Sequence, residues 1–177
     1  MGFKSIGENV SISTDCIIIG LGNISIGDHT RIDSGTAIFA NGADITIGCN
    51  VHISGGCHLA GRGGITMEDF SGLSQGVRIF SASDDYSGAY MTNPTVPEEF
   101  TNATIEPVVL GRHVIVGAGS VILPGCSIGE GSAVGALALV AKPLAQWGIY
   151  AGNPARLVRE RSRDLLAHEK DFTARTV

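Results

Sequence analysis

The stretch IleGlyGluGlySerAla from Ile128, followed by ValGlyAlaLeuAlaLeu from Val134 and then Val140, decides the fold. Its aliphatic residues recur every six positions. A six-residue period matches neither the 3.6-residue turn of a helix nor the strict alternation of a half-buried strand. It matches a coil with three short flat sides, one hexad to a side, in which eighteen residues close one turn. The same register extends in both directions. Ile6, Ile12 and Ile18 form a first triplet, Ile26, Ile32 and Ile38 a second, Ile47, Ile53 and Leu59 a third, and Met67, Leu73 and Ile79 a fourth. After a gap come Leu110, Val116 and Ile122, then Ile128, Val134 and Val140. Stacked turns bury continuous columns such as Ile32, Ile53, Leu73, Val116 and Val134, each layer touching mainly its neighbours. Two positions before an aliphatic, Cys16, Thr36, Cys57, Val77, Ser120 and Ala138 fall in a second column, small enough to point inward. Six turns at about 4.8 Å predict a triangular prism roughly 25 to 30 Å long.

Composition agrees. The chain has 177 residues, 25 of them glycine, with 44% hydrophobic and only 6% aromatic residues. That length normally builds one domain without a disulfide or metal staple. A net charge of −5 supplies no global positive field for nucleic acid or anionic lipid, so neither is an expected partner. No apolar run is long enough for membrane insertion and no secretory signal is visible, which makes the cytoplasm the expected compartment. Cys16, Cys49, Cys57 and Cys126 lack metal-site or redox spacing and read as reduced packing thiols.

Departures from the period carry the functional signals. Small insertions at 40–46 and 62–66 bulge without loss of register, but residues 80–109 leave the repeat altogether. Loops this long in compact domains are usually functional. This one contains Asp84, Asp85, Glu98, Glu99 and Glu106 and no lysine, arginine or histidine. The expected organisation is a β-helix domain over 1–145 with the excursion at 80–109, then a C-terminal extension over 146–177. Ser162 and the apolar Leu165, Leu166 and Phe172 predict a short helix there. Lys142, Arg156, Arg159, Arg161 and Arg163 are five of the twelve basic residues, a cluster suited to phosphate groups or merely a solvated basic face.

These hexads, ending in GlyAsnProAlaArg from Gly152, resemble the hexapeptide-repeat acyltransferases over about residues 5–157. The resemblance implies an all-β fold, a left-handed parallel β-helix of about six coils with one long protruding loop and a short C-terminal helix. It also implies a homotrimer with sites between neighbouring columns, and acetyl-coenzyme A (CoA) as acyl donor with no metal. Lys142, Arg156 and Arg159 fall where that family contacts the nucleotide phosphates, and Ala118, Ala136 and Ala141 where backbone groups line the pantetheine arm. Galactoside and xenobiotic acetyltransferases carry a catalytic histidine just after the fourth triplet. Asp84 stands there instead.

Two arrangements then remain for the acceptor. His52 or His58, which precede Ile53 and Leu59, act as general base with Asp84 or Asp85 orienting the imidazole. Alternatively the acceptor is a sugar amine, for which a carboxylate suffices. His113 is a third candidate. The loop is similar to that of acetyltransferases for surface-polysaccharide sugars, including nucleotide-linked amino sugars, so a sugar or nucleotide-sugar acceptor is expected. His52, His58 and His113 also invite comparison with the zinc-dependent gamma-type carbonic anhydrases of the same architecture, and a non-catalytic assembly module is the remaining alternative.

Overall fold

In the computed structural model, which describes residues 2–175, each hexad becomes two or three extended residues followed by a tight corner. Three faces result. The first stacks Ser5–Ile6, Ile24–Ile26, Ile45–Ile47, Ile65–Met67 and Val108–Leu110, extended by bridges from Leu110 to Ile128 and on to Leu144. The second stacks Ser11–Ile12, Arg31–Ile32, His52–Ile53, Gly72–Leu73, Ile115–Val116, Ala133–Val134 and Gly148–Ala151. The third stacks Ile17–Ile19, Ala37–Phe39, His58–Ala60, Arg78–Phe80, Val121–Ile122 and Leu139–Val140. All these pairs are parallel, and the coils form the expected left-handed β-helix. Pairing on the second face continues past residue 145 into Gly148–Ala151, which an antiparallel strand, Arg156–Glu160, then covers.

The column read from the period is present in register: Ile32 opposite Ile53, Ile53 opposite Leu73, Leu73 opposite Val116 and Val116 opposite Val134. Its members are buried. The second inward column is also present at the corner between the second and third faces, where Thr36, Cys57, Val77, Ser120 and Ala138 are buried. Its polar members are satisfied by carbonyls of the next coil. Thr36 Oγ1 donates to Ser54 O at 3.1 Å, Cys57 Sγ to Ser74 O at 3.2 Å and Ser120 Oγ to Gly135 O at 3.0 Å. All four cysteines are unpaired, and burial raises the Cys57 thiol above its ordinary value.

The faces differ in what they show to solvent. On the first, both flanks of each three-residue strand point inward, leaving Ser25, Thr46 and Thr66 outside. On the third, only the middle residues Ile38, Leu59 and Ile79 point inward. Its outer surface therefore carries a ladder of Ile19, Phe39, Ala60 and Phe80, with Ile17 and Ile19 left 57% and 50% exposed. The His58 ring lies between those of Phe39 and Phe80, with centroids 5.2 and 5.7 Å away.

The expected helix is Leu165–Arg175, and it docks on the corner between the first and second faces. There Phe70 and His113 stack at 5.1 Å, Phe172 meets Phe70 edge-on, and Glu169 bonds both His113, at 2.8 Å, and Arg112. The link before the helix is pinned by Arg161, whose Nη1 donates to the carbonyls of His113, Gly131 and Ser132, and by Arg163 stacked over Trp147. Two of the five clustered basic residues thus hold the fold rather than face a ligand.

Candidate active site

The loop leaves the third face after Phe80 and rejoins the first face at Val108, so it stands at the corner between them. Its neck is an antiparallel pair, Ala82–Ser83 with Thr104–Ile105, which closes the excursion like a hairpin. Beyond the neck the two aspartates have different work. Asp85 Oδ2 accepts hydrogen bonds from Ser87 Oγ at 2.8 Å, Gly88 N at 3.2 Å and Tyr90 N at 3.4 Å, and the Ser87 bond above all holds its carboxyl below the usual range. Those bonds fold the loop. Among the described residues the Asp84 carboxylate accepts from the Asn93 N–H alone, at 3.2 Å, and it lines two cavities at once. One, of about 450 Å³, is walled by Asn41, Arg62, Asn93, Glu98 and Thr101 among others. The second, of about 230 Å³, is more apolar, with Phe80, Ala82, Tyr86, Leu123 and Pro124.

The structure does not gather His52 and His58 around these carboxylates. His52 projects from the second face, where its Nε2 lies 2.8 Å from Asp33 Oδ2, and Asp33 also pairs with Arg31. His58 projects from the third face, and burial, helped by the Arg78 cation, lowers its pKa and favours the neutral ring. Its ring meets that of Phe80, a wall of the smaller cavity, and it lines neither cavity itself. The single cleft expected from both histidines with Asp84 and Asp85 is therefore not formed within one chain, because consecutive hexads put the two rings on adjacent sides of the prism. His113 is taken up by Glu169 and the C-terminal helix.

The residues expected at the donor divide in the same way. Ala118 and Ala136 sit one coil apart at the corner between the second and third faces, where Leu137 N donates to Ala118 O at 2.8 Å. A Cβ on Gly117 would lie 2.4 Å from Ala136 N, so the coils close there only on glycine. The hairpin turn reaches the same corner: Leu139 N donates to Gly152 O and Ala155 N to Leu139 O, and Arg156 pairs with Ala151 at its edge. Arg159 lies further along, opposite Ile149. Ala141 and Lys142 follow Val140 at the other end of the third face, on the loop side. Among the residues that sequence reasoning missed is Arg62, a cavity wall carried by the second small insertion.

Parallel three-sided coils of this kind define the hexapeptide transferases, and residues 107–142 match the family described as bacterial transferase hexapeptide (six repeats). Over 172 residues, 97% of this chain and 90% of the relative, the chain is 42% identical to the dTDP-4-amino-4,6-dideoxy-D-glucose acyltransferase of Escherichia coli. It is also similar to the N-acyltransferase AntD from Bacillus cereus in complex with dTDP and 3-hydroxybutyryl-CoA, at 39% identity and a TM-score of 0.94, covering 99% of this chain and 92% of that one. A serine variant of AntD in complex with dTDP-4-amino-4,6-dideoxyglucose and CoA gives the same TM-score and identity, over 98% and 92% of the two chains. The chain belongs to the hexapeptide-repeat acyltransferase family. It is an acyltransferase, as its sequence led one to expect. For the zinc comparison, His52, His58 and His113 lie on the second face, the third face and the helix-bearing corner, and among the described residues no His, Cys, Asp and Glu side chains group as a metal site.

Proposed function

We propose that this protein transfers an acyl group, acetyl in the simplest case, from acyl-CoA to the amine of a nucleotide-linked deoxyamino sugar. The observation that carries this is Asp84, a loop carboxylate shared by a polar and an apolar cavity, with no imidazole bonded to it. A hydroxyl acceptor calls for a base near neutrality, usually histidine, whereas an amine is a strong nucleophile once it loses one proton. Asp84 attracts the sugar ammonium and takes that proton as nitrogen attacks the thioester carbonyl. The tetrahedral intermediate, whose nitrogen carries a second proton to be lost, then collapses: the C–S bond breaks, and the departing CoA thiolate takes that second proton, leaving the amide and the free thiol. Full-length likeness to acyltransferases of 4-amino sugars supports this acceptor. Such sugars would serve surface polysaccharides, and the reaction would take place in the cytoplasm. Among the described residues no helix is long and apolar enough to cross a membrane.

Within one chain the loop and the Ala118–Ala136 corner stand at opposite ends of the third face. Packing third faces about a three-fold axis brings the loop of one protomer to the donor corner of the next, and the apolar outer ladder supplies the contact. The homotrimer is thus part of this proposal, with the pantetheine arm beside Ala118 and Ala136 and with Lys142, Arg156 and Arg159 toward the phosphates.

The acceptor is tested by CoA release with a nucleotide-linked amino sugar against its hydroxy counterpart. Turnover of the amine at least about a hundredfold faster is expected, and preference for the hydroxyl would sink the proposal. The donor site is tested with Lys142→Ala and Arg156→Ala combined. Lost charge-assisted contacts worth about 1 to 3 kcal/mol should weaken acyl-CoA binding and leave acyl-pantetheine unaffected in calorimetry. Equal loss for both ligands would assign these residues to structure.

A further inference from the structure

Among the described residues, the larger cavity beside Asp84 has one cation in its wall, Arg62, with Asn41, Asp84, Asn93, Glu98 and Thr101. Of the other basic residues of the lower and middle coils, Lys4 pairs with Asp44, Arg31 with Asp33 and Arg112 with Glu169, while Arg78 stands on the third face outside that wall. The Arg62 side chain has no hydrogen bond or ion pair to any described residue, and it is exposed. Its backbone, by contrast, is fixed to the root of the loop. Gly63 N donates to Ser81 Oγ at 2.9 Å, Ser81 Oγ donates to Ala60 O at 2.9 Å, and Glu106 N donates to Ser81 O at 3.0 Å. Ser81 is fully buried. A Cβ at position 63 would stand 2.4 Å from Ser81 O, so only glycine lets the insertion press against the neck. Arg62 is therefore a free guanidinium on a rigid corner, aimed at the space under an acidic loop.

Resting on the nucleotide-sugar reading above, we propose that Arg62 binds the diphosphate of the acceptor. A diphosphate brings two negative charges into a cavity walled by Asp84 and Glu98, where nearby like charges oppose it. It enters only against a cation, and a planar guanidinium grips two phosphate oxygens at once. The Asn41 amide on the same wall adds a neutral donor. With the diphosphate held there, the sugar extends toward Asp84, which keeps its carboxylate for the amine. Arg62 thereby selects nucleotide-linked over free sugars and takes no part in proton transfer.

The experiment is calorimetry of the intact protein with dTDP and with thymidine, followed by kinetics on a nucleotide-linked amino sugar. Arg62→Gln should weaken dTDP binding about tenfold or more, leave thymidine binding unchanged and raise KM for the sugar nucleotide, with kcat and KM for acyl-CoA within about twofold. Arg62→Lys should restore part of the dTDP affinity. An unchanged melting temperature is expected, since the side chain is exposed and unpartnered. A glutamine variant that binds dTDP as tightly as wild type overturns the assignment while leaving the nucleotide-sugar reading in place. A wild-type protein that ignores dTDP and acylates free amino sugars overturns that reading itself, and Arg62 with it.

Discussion

Asp84→Asn is expected to lower the maximal rate of acyl transfer by about a hundredfold or more, with acyl-CoA affinity unchanged. The substitution is close to isosteric, and the asparagine oxygen can still accept the Asn93 N–H that seats residue 84 in the loop. What it removes is the negative charge and the site for the proton. Residual turnover in the variant should climb with pH, because the fraction of acceptor already present as free amine grows. Asp85→Asn should act differently, through a loosened turn, since Asp85 is spent on Ser87, Gly88 and Tyr90. His58→Ala is the decisive control. If it abolishes turnover while Asp84→Asn keeps the wild-type rate, proton removal belongs to the histidine and the amine argument fails.

The other large effect comes from the third face. Ile17→Asp combined with Phe39→Asp places two carboxylates on the outer ladder without touching Ile38, Leu59 or Ile79 behind it. Scattering should then report single chains of 18.3 kDa in place of the proposed trimer. β-rich circular dichroism should persist, because each coil's hydrogen bonds run to neighbouring coils of the same chain. Activity should fall by about a hundredfold or more, since the loop and the Ala118–Ala136 corner are left at opposite ends of the third face. A monomer that retains the wild-type rate would mean that one chain completes the site.

Much of this was legible in the period itself. Six-residue spacing placed Ile32, Ile53, Leu73, Val116 and Val134 in one column, and an interruption long enough to matter announced the loop. The hand of the coil came from family resemblance, since local sequence holds no signal for it. The two histidines were a different matter. His52 precedes Ile53 and His58 precedes Leu59, one hexad apart, and one hexad is one side of a triangle. Register alone therefore assigns them to adjacent faces. Arg62 escaped because an insertion has no period, although its place before Ile65 puts it at the corner from which the loop also departs. The fates of Arg161 and Arg163 were out of reach. Whether a guanidinium meets solvent, carbonyls or an indole depends on how the closing hairpin turns the chain back, and no spacing encodes that.

The excursion at 81–107 costs the stack nothing in alignment: Met67 faces Leu110 in the same register as Ile47 faces Met67. Scaffold and loop are in this sense separately editable. Because the neck closes on its own two-stranded pair, a loop of different length and chemistry can be spliced between Phe80 and Val108 while the coils, the Ala118–Ala136 corner and the outer ladder stay as they are. With the donor and acceptor placed as proposed, such a chain would keep its acyl donor and change its acceptor. Diversity of sugars can then arise in this architecture by exchange of a single segment, with no renegotiation of the core.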